Sequence, residues 1–428
     1  MTGRLMTGRL GVGIPVLALL VTSPVAAAPK PSPSATARPL AVRLADSVLA
    51  RWPDPTTISG KGFEYTDGIV LRGLAEVYGK TRDPRYLAYI RRWVDAYLRE
   101  DGSRRDARSE SGRRYGAGGS RPPSPRARNS RTSDATYVDL GADALGHNLD
   151  RIQPGGLLLL LYQETRDPRY ARAAHWLRQR FDSFPRNQDG GFWHKQKYPD
   201  EMWLDGIYMA EPFLVRYGKL FGEGGFPYDT AARQATLVAE HTRVPGTGLF
   251  RHAWDQDRNA AWADPKTGVS PEVWGRAMGW FLMALVDMIE DFPSEHPGRV
   301  RIAELLREAA GGVRATQDAK SGLWYQVLDQ GSHPDNWLET SASAMFVYAL
   351  RRGVERGHLE PAYAEVAGKG WRGLLTRVSD DAQGRPLVEG AVEGMSVQRD
   401  LAGYLSRRRL INSPHGVCAM LLAASSME

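Results

Sequence analysis

The sequence predicts an all-α protein, a closed double ring in which apolar inner helices are jacketed by amphipathic outer ones. Three observations predict it. A phrase at Tyr78-Gly-Lys-Thr-Arg-Asp-Pro-Arg-Tyr86 returns at Tyr162-Gln-Glu-Thr-Arg-Asp-Pro-Arg-Tyr170, offset by 84 residues. A second repeat follows, a Gly-aromatic turn and then a Trp-led apolar segment. Apolar stretches such as Leu157 to Tyr162 alternate with charged, leucine-spaced ones such as Arg299 to Arg314. Roughly a dozen helices of ordinary length fit, with few strand-like runs.

The elements follow in chain order. Arg4 and Arg9 flank the start of an apolar run from Leu10 to Val21, and Ala26 to Ala28 supply a small-residue cleavage site. Residues 1–28 therefore read as a secretory signal peptide, whether translation starts at Met1 or Met6. The run is broken by Gly11, Gly13 and Pro15 and is too short for an anchor. Residues 29–39, rich in Pro, Ser and Ala, read as a linker. A single domain is expected over 40–428, in a secreted or periplasmic protein with no membrane association after cleavage. In each copy of the first repeat, Asp83 or Asp167 fits an N-cap and Pro84 or Pro168 the first helical turn. The second repeat has turns at Gly191-Phe-Trp193, Gly248-Leu-Phe250 and Gly322-Leu-Trp324. The helices after them open at Trp203-Leu-Asp205, Trp274-Gly-Arg276 and Trp337-Leu-Glu339. A polar residue thus stands two places after each Trp, and Asp205, Arg276 and Glu339 are expected around one mouth of the ring.

Composition excludes several functions. The chain of 428 residues is 42% hydrophobic and 25% charged, enough for a large core. Its one cysteine, Cys418, rules out an internal disulfide and any multi-thiolate metal site. The net charge of +7 is accounted for by residues 103–132, where nine arginines meet only Asp106 and Glu110. That segment has one aromatic residue among Ser, Gly and Pro, so it reads as a solvated insert rather than a nucleic-acid face. No paired-histidine metal motif, nucleophile elbow or phosphate loop is present. Asp255-x-Asp257-x-Asn259 opens like a calcium loop, but Ala260 and Lys266 stand where the glycine and the bidentate glutamate belong. Neither a metal nor a cofactor is implied. What remains is carboxylates, histidines, an arginine and many tryptophans, the vocabulary of a carbohydrate site.

Separated blocks carry a family resemblance. Met202-Trp-Leu-Asp205-Gly-Ile-Tyr-Met-Ala-Glu-Pro212, His252-Ala-Trp-Asp255, Trp262-Ala-Asp264-Pro, Ser270-Pro-Glu-Val-Trp274-Gly-Arg276-Ala-Met-Gly-Trp280 and Leu338-Glu-Thr-Ser-Ala-Ser-Ala-Met345 resemble glycoside hydrolase family 105, the unsaturated rhamnogalacturonyl hydrolases. The resemblance runs from about Leu40 to the end. It implies an (α/α)6 barrel, a six-hairpin double α-helical toroid, agreeing with the repeats. It also implies removal of a nonreducing-end 4,5-unsaturated uronic acid by hydration of its enol ether, with an oligosaccharide as partner. Such chemistry needs one placed acid/base, not the carboxylate pair of ordinary glycosidases.

The resemblance assigns roles residue by residue. Asp205 would be the general acid/base, and Asp150, in Asn148-Leu-Asp150-Arg, a second catalytic carboxylate that holds a hydroxyl or positions water. His194, His252 and Arg276 would bind the uronate, with Trp274 and Trp280 as walls. Tyr65, Lys195 and Glu339 complete the substrate-binding set, Glu339 mainly from its repeat with Asp205. Asp205 and Asp150 also fit helix caps, and Tyr65 fits core packing equally well. The insert at 103–132 departs from the family pattern. Alternatives of the same or another class are an unsaturated glucuronyl hydrolase, an inactive sugar-binding ring, and a basic wall-binding or nucleic-acid-binding protein resting on the insert alone.

Overall fold

The computed structural model describes residues 38–102 and 146–428. The expected signal peptide (1–28), the linker (29–39) up to residue 37 and the basic insert (103–132) lie outside the described residues. The described residues belong to one compact unit.

Among the described residues twelve helices alternate between two layers. The outer ones are α1 (Leu40–Arg51), α3 (Pro84–Ala96), α5 (Pro168–Gln179), α7 (Phe226–Thr242), α9 (Pro297–Ala315) and α11 (Ala362–Leu375). The inner ones are α2 (Tyr65–Thr81), α4 (Gly155–Thr165), α6 (Leu204–Phe221), α8 (Gly275–Met288), α10 (Thr340–Glu355) and α13 (Pro414–Met427), while a short α12 (Leu401–Leu405) sits at the rim. Each inner helix packs on the next, and α13 packs on α2, so the ring closes. This is the six-hairpin toroid. The closing contact also joins the first outer helix to the last residue: the Glu428 carboxylate accepts from Leu40 N and Ala41 N, both at 3.0 Å, and so caps α1.

Composition decides which layer a helix joins. In α8 and α13 almost every side chain is buried, whereas α3 and α9 bury one stripe and turn arginines outward. The repeated phrase is the corner between layers. Thr81 and Thr165 end their helices, Arg82 and Arg166 take left-handed φ of 54° and 57°, and Asp83 and Asp167 accept from the amides of Arg85 and Arg169. Pro84 and Pro168 then start the outer helices, as the sequence predicts.

Among the described residues strands are few and short, in four two-stranded antiparallel ribbons, one of them pairing β2 (Arg243–Val244) with β3 (Leu249–Phe250). The one that matters joins β1 (Glu201–Trp203) to β4 (Ala253–Asp255), with Trp203 opposite Ala253. Leu204 N then donates to His252 O at 2.9 Å, which fixes the start of α6 beside His252. Among the described residues no helix is long and apolar enough to cross a membrane.

Candidate active site

The first turns of α2, α6, α8 and α13 bring Tyr65, Asp205, Arg276 and His415 to one cleft with about 330 Å3 of space. Asp205 is the second residue of α6. Its helix is preceded by Trp203 without a side-chain cap, so the Asp205 carboxylate is not spent on the backbone. Asp205 Oδ2 lies 3.2 Å from His252 Nε2, misaligned for a hydrogen bond, and neither atom has another protein partner. His252 itself is fully buried behind Asp205, with its Nδ1 2.9 Å from the Tyr404 hydroxyl.

Asp150 approaches from the next inner position. Asn148 caps the turn at Leu149–Arg151 by accepting from Asp150 N at 3.0 Å, so Asp150 is not the cap. Its buried carboxylate pairs with the Lys195 ammonium and lies 3.4 Å from His194 Nε2. Burial would raise its titration, but Lys195 and His194 outweigh that and hold it below the usual carboxylate range. Asp150 is therefore an ionised neighbour. His194 is stacked on Trp203 with ring centroids 4.2 Å apart, and burial lowers its basicity. Gly206 makes room for this, since a Cβ there would sit 3.0 Å from Leu149 and 3.2 Å from His194 Nδ1.

Arg276 forms the far wall. Its Nη1 and Nη2 donate to the carbonyls of Val392 and Glu393, both at 2.6 Å, and its guanidinium carbon stands 4.9 Å from the Trp274 ring centroid. Its buried Nε has no protein partner. Burial lowers its basicity while Glu339, Tyr65 and Asp205 oppose the shift. Trp274 and Trp280 line the cleft, Trp280 stacked on Tyr208 at 4.7 Å. Tyr65 OH meets His415 Nε2 at 3.1 Å, and burial, with Arg276 and Lys61, keeps His415 neutral.

Glu339 is one of two expected substrate-binding residues that do not line the cleft. It is fully buried as the N-cap of α10, accepting from Ser341 N (3.0 Å), Ala342 N (2.5 Å) and Val392 N (2.9 Å), and it does not line the cleft. Here the helix starts two residues later relative to its Trp than in α6 or α8, which turns the acid onto its own backbone. Glu339 acts through Val392, whose carbonyl holds Arg276. His252 likewise reaches the cleft only through Asp205.

Four of the eleven buried side-chain atoms without a protein partner among the described residues, His194 Nδ1, Asp205 Oδ2, His252 Nε2 and Arg276 Nε, belong to this one cluster. Buried polar atoms are rarely left so, and their clustering marks a site built for a polar ligand. Among the described residues no group of three or more His, Cys, Asp or Glu is arranged to hold a metal ion.

The profile described as Glycosyl Hydrolase Family 88 matches residues 40–428. The chain belongs to glycosyl hydrolase family 88. It is 26% identical over 364 residues to the unsaturated rhamnogalacturonyl hydrolase YesR of Bacillus subtilis (strain 168), covering 84% of this chain and 87% of that protein. Protein Atu3128 of Agrobacterium fabrum is 39% identical over 189 residues, 43% of this chain and 79% of its own length. A family 105 glycoside hydrolase of C. acetobutylicum ATCC 824 superposes with a TM-score of 0.78 at 31% identity, covering 91% of this chain and 99% of the other. The family 88 chain is thus a glycosidase on the six-hairpin ring.

Within this family 88 site, sequence reasoning missed Trp203, Met209, Met395 and His415, which line the cleft, and Tyr404 behind it. His415 carried a signal. It is the second residue of its inner helix, as Asp205 and Arg276 are of theirs.

Proposed function

We propose that this family 88 enzyme is exported and removes a nonreducing-end 4,5-unsaturated uronic acid from lyase-generated oligosaccharides, with rhamnose as the leaving sugar. The observation that carries the reading is Asp205: a buried carboxyl at the cleft, free of any cap, with Oδ2 unpartnered, facing Arg276 across the site. Asp150 is held ionised by Lys195, so one carboxyl remains to act as acid. Protonated Asp205 delivers its proton to C4, and positive charge develops at C5 and the ring oxygen. Ionised Asp205 then takes a proton from the water that adds at C5. The hemiketal opens to a C5 ketone, freeing the ring oxygen as a hydroxyl on C1, and collapse of that hemiacetal expels the leaving sugar.

Two further features support the substrate class. Inner helices α2, α6 and α8 enter the cleft without side-chain caps, and their N-terminal amides favour an anion such as the uronate beside Arg276. Trp203 and Val397, with Tyr198 and Trp262 packed on them, form an apolar cluster apart from the main core. Such a cluster beside a cleft wall suits the methyl group of a 6-deoxy sugar, and the Bacillus subtilis relative is named for rhamnogalacturonyl substrates. The test follows ultraviolet absorbance of the C4=C5 bond with unsaturated galacturonyl-rhamnose and unsaturated glucuronyl disaccharides. The galacturonyl-rhamnose signal is expected to decay faster, and Asp205→Asn to abolish the decay. A preference for the glucuronyl substrate would reassign the leaving sugar, and a folded protein inert on both would overturn the function. The same assay on medium, periplasm and cytosol of the producing cell is expected to find activity outside the cytosol.

A further inference from the structure

We infer that Tyr404 is a positioning residue for the proton chemistry: its hydroxyl donates to His252 Nδ1 and thereby keeps the imidazole N–H at Nε2, the ring nitrogen nearest Asp205. The inference rests on the role proposed for Asp205. The geometry is a buried line of three groups, with Tyr404 OH 2.9 Å from His252 Nδ1 and His252 Nε2 3.2 Å from Asp205 Oδ2. An ionised carboxylate can only accept, so the nitrogen facing it must carry hydrogen. A neutral imidazole then has a bare Nδ1, which needs a donor. Tyr404 supplies it.

The surroundings hold Tyr404 in place. Its helix is capped by Asp400, which accepts from Gly403 N at 2.8 Å. Gln326 donates to Tyr404 O at 3.2 Å while accepting from Trp274 Nε1 at 3.2 Å, tying the cleft wall to this helix. The charged groups acting on this line are Asp205 on α6, Glu272 and Arg251 on the flanking loops, and Arg276 on α8 across the Trp274 ring. Glu272 also accepts from His252 N through its carbonyl at 3.2 Å. None of them offers Nδ1 another donor.

The wrong tautomer would put a lone pair at Nε2. It would draw the proton of Asp205 toward itself and away from C4. Tyr404→Phe removes only the hydroxyl. We expect kcat to fall at least about 10-fold with little change in KM. An unchanged kcat in a folded Tyr404→Phe protein would overturn the inference. Nitrogen-15 NMR of labelled histidine in the wild-type protein reads the tautomer without reference to activity: a protonated Nε2 and bare Nδ1 on His252 support the inference, and a protonated Nδ1 overturns it. If no unsaturated disaccharide is hydrolysed, the proposed function fails on its own, and the tautomer measurement still decides the role of Tyr404.

Discussion

Lys195 and Asp150 share a buried ion pair, yet the cost of losing each partner differs. Asp150 keeps 4% of its side chain exposed and Lys195 keeps 19%, so removing the lysine strands the more deeply buried charge. Lys195→Met is expected to lower stability by about 2–4 kcal/mol at pH 7, read by urea unfolding. The asparagine at 150 should restore most of it in the double variant Asp150→Asn/Lys195→Met. The pH dependence has a definite sign. A carboxylate held below its usual range contributes stability above its unfolded value near 3.8, lost as pH falls through its folded value. The gap between wild type and Lys195→Met should therefore close as the medium becomes acidic and the stranded Asp150 takes up a proton. The same residue scale shows what the sequence made legible. Asp150, Asp205, Trp274 and Arg276 stand in compact motif blocks, His194 and Lys195 follow directly on the Gly191-Phe-Trp193 turn, and all six meet at the cleft. Met395, Tyr404 and His415 come from the last part of the chain and reach the site through packing that no local spacing encodes. Glu339 was misleading because Trp-x-acid looks the same whether the acid lies inside a helix or caps it.

At the scale of elements, the repeated Gly-aromatic turns explain why hairpins were readable. Gly248 and Gly322 take φ of +71° and +76°, and each turn presses against a helix of the outer layer. A Cβ on Gly312 of α9 would meet Gly248 O at 2.4 Å, and one on Gly373 of α11 would meet Ser321 O at 2.4 Å. Backbone packed on backbone leaves nothing flexible to give way. Gly248 leads through Phe250 to His252 and β4, so this contact positions part of the site from outside the ring. Gly312→Ala is expected to cost about 2–3 kcal/mol by overpacking and to reduce kcat through the displaced His252. Denaturant unfolding and the disaccharide assay together check it, and an unperturbed variant would show that the turn can retreat. The turn glycines were visible as a repeat, but their partners Gly312 and Gly373 were not. A glycine inside an amphipathic helix reads only as a weak point until the neighbouring layer is in place.

The whole ring must also hold its inner helices together away from the cleft, and there a polar network spans three of them. Glu76 on α2 takes Arg72 of its own helix at 2.6 Å and Arg352 of α10 at 2.8 Å, while Arg72 also faces Asp287 of α8 at 3.6 Å and Tyr348 of α10 at 3.3 Å. Tyr348 donates to Asp287 at 2.7 Å, which completes the link from α10 to α8. Ring closure by apolar packing alone would let inner helices slide along one another; charged groups with fixed partners set the register. Burial pushes the Glu76 carboxyl up, but Arg72 and Arg352 pull harder and bring it down to about 2. Its contribution is therefore fully present above its unfolded value near 4.5 and is lost as pH falls through about 2. Glu76→Gln keeps the shape and removes the charge, leaving Arg352 without that carboxylate. Its loss should amount to about 2–3 kcal/mol at pH 7, seen as a lower urea midpoint. Between pH 4.5 and 2 the wild-type midpoint should fall toward that of the variant, because protonation removes from the one what substitution removed from the other. A gap that stayed constant down to pH 2 would mean that Glu76 works by packing alone, and the register of the ring would have to be sought in its apolar faces.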